Sequence, residues 1–181
     1  VAVVAVGKHL CGVASDLSLE CCVRYAAAAP RGGRGAGQEQ AATATAAAAD
    51  DSGDGNTGDG NTRGVAFAVC CHHLCEWAGY VAQGWLSERG IGEADFGRMC
   101  RYARLAHSQY QQRKRGRLRR GATTERACAA AARAELGHLC KRLLDEGRMA
   151  WLREQGWDGK LVRFVLRKTS PENVLLLAWP R

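Results

Sequence analysis

Nowhere in the 181 residues is there an apolar run approaching the ~20 needed to cross a bilayer as a helix. No basic segment precedes the first apolar run, VAVVAV at 1–6, so it does not read as a signal peptide. Large apolar side chains are absent from 31–63, where Gly, Ala, Thr, Asp and Asn predominate and GDGNT occurs twice, at 53–57 and 58–62. Such a segment has nothing to offset the entropy of ordering, and we expect a disordered low-complexity insertion there. GRGAG at 33–37 has nucleotide-turn glycine spacing but follows a proline rather than a strand, so we read the match as coincidence. An even, regularly spaced cysteine set is also lacking. The nine cysteines fall irregularly, mostly inside apolar runs, which fits thiols in a reducing compartment better than a disulfide framework. The expected location is intracellular, cytoplasm or nucleus.

Acidic residues are missing from Arg98 to Arg120, a stretch with nine basic ones. Its dense part, Arg113-Lys114-Arg115-Gly116-Arg117-Leu118-Arg119-Arg120, is read as a basic loop over 107–123. With a formal charge of +8 and pI near 9.2, the chain favours a polyanionic partner such as nucleic acid. Phosphate contacts by Arg113, Lys114, Arg115, Arg117, Arg119 and Arg120 would give salt-sensitive affinity; nuclear targeting or plain solvation would also account for the run.

The length suits about one domain of ~100–200 residues. Val1–Val6 is a continuous β-branched run, the mark of a central parallel strand needing neighbours on both sides. We therefore expect a segment of a longer protein, starting partway through a sheet. Gly7 to Gly12 is expected to be the turn leaving that strand. Ser15 and Asp16 offer capping groups for a helix carrying Leu17, Leu19, Cys22 and Val23. Val65–Cys71 reads as a second strand, Cys75–Arg89 as a helix with Trp77, Tyr80, Val81 and Trp85 at helical spacing, and Ala94–Ala106 as another. A long helix over Thr124–Glu154 carries an apolar stripe of Leu136, Cys140, Leu143 and Leu144 continued by Met149 and Leu152. Leu161–Leu166 and Val174–Trp179 are the last two strands, joined by a turn at Ser170–Asn173. Alternation with crossover helices implies an α/β parallel sheet, and the final pair a β-hairpin.

Four blocks in this order, GKHLCGVASDLSLEC at 7–21, AVCCHHLCEWAGYV at 68–81, GHLCKRLLDEGRMAWLREQGW at 137–157 and SPENVLLLA at 170–178, closely resemble one family. It comprises the eukaryotic tRNA ribose 2′-O-methyltransferases that modify nucleotide 4 of the acceptor stem. The resemblance implies the C-terminal half of a class I, Rossmann-like methyltransferase domain, partial over 1–181, with S-adenosylmethionine as cofactor and tRNA as partner. The family's glycine-rich turn after its first strand and acidic residue after its second are absent here, so this segment alone should bind the cofactor poorly. Zinc is implied only for N-terminal modules that this chain lacks, and no metal ligand is assigned within it.

Ligands of such sheets sit beyond the carboxyl ends of the strands. Three ends deliver polar groups there: Gly7-Lys8-His9, Cys71-His72-His73 and Ser170–Asn173. A ribose 2′-hydroxyl must lose its proton as it attacks, and a positioned acid/base group speeds such a step ~10²–10⁴-fold. Lys8 or His9 is the first choice to orient and deprotonate it. His72 could assist, His73 could bind substrate, and Glu172 could position a lysine or accept a proton. Gly7 and Lys8 would border the cofactor. Duller roles stay open: a solvated Lys8, His9 bonded to its own turn, Glu172 ordering the hairpin, Asp16 capping its helix.

Residues 69–77, VCCHHLCEW, raise the question of metal. Alternating strand residues face opposite ways, so Cys70, Cys71, His72 and His73 cannot all ligate one ion while extended. Cys71, His73 and Cys75 could share a face, giving three of the four ligands of structural zinc, with Cys11 able to approach in space. We read the cluster as an active-site rim. Two rival functions remain: a zinc-binding RNA-interaction module without catalysis, and a ribose methyltransferase of another RNA.

Overall fold

The computed structural model describes residues 2–28, 61–114 and 124–181. GRGAG and residues 31–60 of the expected insertion lie outside them, as do Arg115, Arg117, Arg119 and Arg120. Strand β1 (Ala2–Cys11) leads to helix α1 (Val13–Ala28), then β2 (Asn61–Cys70), two 3-10 turns at His72–Leu74 and Trp77–Gly79, and the short α2 (Gln83–Ser87). Helices α3 (Glu93–Lys114) and α4 (Thr124–Glu154), then β3 (Trp157–Arg163) and β4 (Val174–Pro180), complete the order. No helix among the described residues is long and apolar enough to cross a membrane.

The class is α/β with a mixed four-stranded sheet in the order β1-β2-β4-β3. β1 and β2 are parallel, while β4 is antiparallel to both β2 and β3. β3 therefore runs with β1 and β2. The one reversed strand is last in sequence, as expected, but lies inside the sheet.

Leu19 of α1 and Met149 and Leu152 of α4 pack on Val65, Phe67 and Val69 of β2 and Leu176 and Ala178 of β4. Odd-numbered β2 residues and even-numbered β4 residues share this face because successive strand side chains alternate. A second core fills the space between α2, α3 and α4 around Tyr80, Leu86, Phe96 and Leu144. The tryptophans at 77, 85 and 151 pack against these cores.

Among the described residues β1 lies at one edge of the sheet, which leaves open the place of the second neighbour its sequence implies, and Val4 and Val6 on one of its faces are 56% and 79% exposed. Several other expectations need correction. The 7–12 segment is not a free turn. Gly7, Lys8 and Cys11 pair with β2, and the register slips between Lys8 and Cys11, where His9 takes φ 62°. The helix read over 75–89 is two short pieces, because Trp77 and Tyr80 both turn onto Phe96, with ring centroids 5.4 and 5.1 Å from it. β3 begins four residues before its expected start, directly after Gly156 (φ 80°) ends α4. Helix α3 runs on to Lys114, into the stretch read as a basic loop, so Arg113 and Lys114 are helical.

Candidate active site

The strand directions bring the carboxyl ends of β1, β2 and β3 and the start of β4 to one edge. Cys11 pairs with Cys70, Val69 with Val174, and Arg163 with Val174, which places the 8–11, 70–73 and 170–173 segments along that edge. β2 ends at Cys70. Cys71 then adopts φ 49°, ψ 38°, and the chain turns through a 3-10 segment that separates the cluster's side chains.

His72 goes inward. It is 2% exposed, and its Nε2 donates to Asp145 Oδ1 at 2.7 Å. Arg148 donates from Nη1 to the same Asp145 oxygen at 3.0 Å, and from Nε and Nη2 to both oxygens of Asp16 at 3.0 and 2.7 Å. Its Nη2 also meets Cys75 Sγ at 3.2 Å. Burial alone would raise the Asp145 carboxyl, but His72 and Arg148 outweigh it and hold it below the usual carboxylate range. Asp16 is thus a buried ion-pair partner inside α1 rather than a helix cap, and Cys75 belongs to this network rather than to a metal set. His72 Nδ1 is buried without a hydrogen-bond partner.

Beside this network Lys141, 7% exposed, donates to Glu172 Oε2 at 2.6 Å and to the Pro171 carbonyl at 3.0 Å. Glu172 is presented by its own turn: its N–H donates to Ser170 Oγ at 3.1 Å, and Asn173 Nδ2 donates to the Val165 carbonyl at 2.8 Å. Glu172 is thus both ion-paired with Lys141 and tied into its own turn through Ser170. His72, His138, Lys141, Asp145, Glu172 and Arg163 line a cleft of about 30 Å³. That is room for a water or a hydroxyl group and far too little for a nucleotide. Burial, then the nearby Arg167 and Lys141 charges, lower the His138 pKa from its ordinary 6.5, so its imidazole is neutral at pH 7.

Lys8 and His9 are exposed on the same edge but do not line this cleft. His73 is half-buried and does not line it either. Gly7 is accounted for by packing, since a Cβ there would meet Leu10 and Phe67 side chains within 2.8 Å. Sequence reasoning missed Lys141, His138, Asp145 and Arg148. The signal was present: 138, 141, 145 and 148 are spaced 3, 4 and 3 apart, one stripe of a helix. It was masked by the adjoining apolar stripe through Cys140 and Leu144.

The other half of the CCHHLC segment faces β1. Cys11 Sγ lies 3.7 Å from Cys70 Sγ, and the sulphurs of Cys11, Cys70 and Cys71 are all within 4.8 Å of one another. Burial first, then the Cys11 thiol beside them, push the Cys70 and Cys71 pKa values up.

Residues 1–179 match the family model described as Methyltransferase TRM13. The chain belongs to that family. Among curated relatives it is similar to the mouse tRNA:m(4)X modification enzyme TRM13 homolog, 29% identical over 98% of this chain and 44% of that protein. It is also similar to the tRNA:m(4)X modification enzymes TRM13 of Yarrowia lipolytica, 28% identical over 95% and 34%, and of Eremothecium gossypii, 30% identical over 96% and 33%. The chain spans less than half the length of these TRM13 relatives. No solved structure matches it significantly.

Proposed function

We propose that this chain is part of a tRNA methyltransferase that moves a methyl group from S-adenosylmethionine to the ribose 2′-hydroxyl of nucleotide 4 in the acceptor stem. The names of its relatives support the nucleotide, and family membership supports the methyl transfer. The sheet supports the class I, Rossmann-like assignment: three co-directional strands with one reversed strand inserted before the last of them. The cleft beside Lys141 holds about 30 Å³ and Gly7 is filled by its neighbours, so neither place takes the donor and the cleft takes the acceptor hydroxyl.

The observation that carries the reading is the Lys141–Glu172 pair in a cleft the size of a hydroxyl. A ribose at the mouth would insert only its 2′-oxygen. Glu172 and the Pro171 carbonyl take two of the three Lys141 donors, and the ammonium then offers its remaining one to the oxygen as negative charge develops there. His138, one turn before Lys141 on α4 and neutral at pH 7, is the proton acceptor. His72, fixed by Asp145, is a positioning group in the cleft wall. Lys8 and His9 meet the RNA from the exposed end of the edge, and the basic residues around Lys114 supply phosphate contacts.

Mapping ribose methylation in cells lacking the gene tests this. Nucleotide 4 of the acceptor stem should lose its methyl group and regain it with the wild-type gene but not with Lys141→Ala. Unchanged methylation at that nucleotide in the deleted cells would overturn the proposal.

A further inference from the structure

The three thiols between β1 and β2 take no part in the hydroxyl chemistry, yet they converge from two strands 59 positions apart in sequence. We propose that Cys11, Cys70 and Cys71 form a binding site for a single thiophilic divalent cation, with zinc as the ion to test. None of the three cysteines lines the Lys141–Glu172 cleft, although Cys71 lies within electrostatic reach of Glu172, and the proposal does not rest on the function proposed above.

Geometry is the first support. A tetrahedral zinc with Zn–S distances of about 2.3 Å holds its sulphurs about 3.8 Å apart. Cys11 and Cys70 are already at 3.7 Å, and no pair of the three exceeds 4.8 Å. A shift of the order of 1 Å by one side chain would complete three vertices.

Placement is the second support. Cys11 and Cys70 are register partners at the ends of adjacent parallel strands. Cys71 leaves the strand at once with φ 49°, a conformation rare for a side-chain-bearing residue. Without that reversal Cys70 and Cys71 would face opposite sides of the sheet. With it both sulphurs reach the same point. A Cys11–Cys70 disulfide would use two of the three and strand Cys71.

Binding replaces three S–H bonds with three metal–sulphur bonds, releases the protons to solvent and leaves the centre with one net negative charge. The fourth vertex falls to water or another oxygen donor. Such a centre would pin the irregular end of β1 to the start of the His72 turn.

The test is residue-resolved alkylation. The purified chain is loaded with zinc, treated with iodoacetamide with and without a chelator, and digested for mass spectrometry. Cys11, Cys70 and Cys71 should label at least roughly tenfold more slowly with zinc bound, while the exposed Cys21 and Cys128 are unaffected. Cobalt should give a sulphur-to-metal charge-transfer band in the wild type and in Cys21→Ser, and lose most of it in Cys71→Ser. Should the C71S variant fail to fold, the wild-type footprint decides alone. Equal labelling with and without zinc, or a Cys11–Cys70 disulfide in protein purified under reducing conditions, would overturn the proposal.

Discussion

Arg148 grips both carboxylate oxygens of Asp16, 132 positions away in sequence, at 3.0 and 2.7 Å, with neither side chain more than 1% exposed. The bidentate pair staples α4 to the first turn of α1 beneath the sheet edge. Asp145 and His72 extend it to the wall of the cleft.

Removing one member of such a pair leaves a charge buried without compensation, which typically costs about 3–5 kcal/mol. Arg148→Met should therefore destabilise the chain by that order in chemical denaturation. Pairing it with Asp16→Leu should recover part of the loss, because the uncompensated carboxylate is then gone. A near-neutral Arg148→Met would mean that the network contributes little to holding α1 and α4 together.

Acid sensitivity follows from Asp145. Its folded-state pKa lies below the ordinary value, so its contribution to stability is present above about pH 4 and is lost as pH falls through the folded value. Thermal unfolding monitored between neutral pH and pH 3 should show the midpoint falling steeply in that acid range. Asp145→Asn should flatten the acid dependence while lowering the midpoint at neutral pH.

β2 and β4 were legible because their apolar runs are short, β-branched or leucine-rich, and bounded by turn residues. The gathering of the 8–11, 70–73 and 170–173 segments along one sheet edge was legible from the order of strands and turns. β3 was placed late because Asp158, Gly159 and Lys160 have poor strand propensity. Pairing with Trp179, Ala178 and Leu177 overrides it, and Gly159 admits the close approach of the Leu177 carbonyl. The helical reading of 75–89 failed because aromatic residues at helical spacing can equally well be gathered onto one partner by turns. Here that partner is Phe96. The buried half of the site escaped sequence reasoning for another reason. His72 lies among residues inviting a metal reading, while its partners Asp145 and Arg148 look like the solvated face of an amphipathic helix. Only the tertiary contact shows that this stripe faces inward.

Helix contact gives a prediction in the opposite sense to propensity. Gly137→Ala would ordinarily stabilise a helix by about 1 kcal/mol. In α4, however, the added Cβ would collide with the Tyr102 carbonyl oxygen and press on Ala106 at 3.1 Å. Overpacking of this kind costs about 1–3 kcal/mol, so the variant should be net destabilised in a denaturant titration. A more stable Gly137→Ala would mean that α3 and α4 separate freely.

The proposed chemistry makes its sharpest demand on Lys141, Glu172 and His138 in the full-length enzyme. Loss of a preorganised donor at a developing oxyanion costs roughly 10²–10³-fold in kcat, and Lys141→Ala should fall in that range with RNA affinity little changed. Glu172→Gln keeps the size and the hydrogen bond but removes the charge that holds the ammonium, so its loss should be smaller. His138 acts as a base only when neutral. Its pKa is lowered from 6.5 by burial and by Arg167 and Lys141, so the rate should fall on the acid side of pH 6.5 and be flat above it. Glu135 and Glu172 oppose that shift, and Arg167 is paired with Glu135 at 2.9 Å. Glu135→Gln therefore removes a carboxylate that raises the His138 pKa, and the acid limb should move to still lower pH. His138→Gln should abolish the limb and lower the plateau by ~10²–10⁴-fold. A limb that persists in His138→Gln would assign the proton to another group.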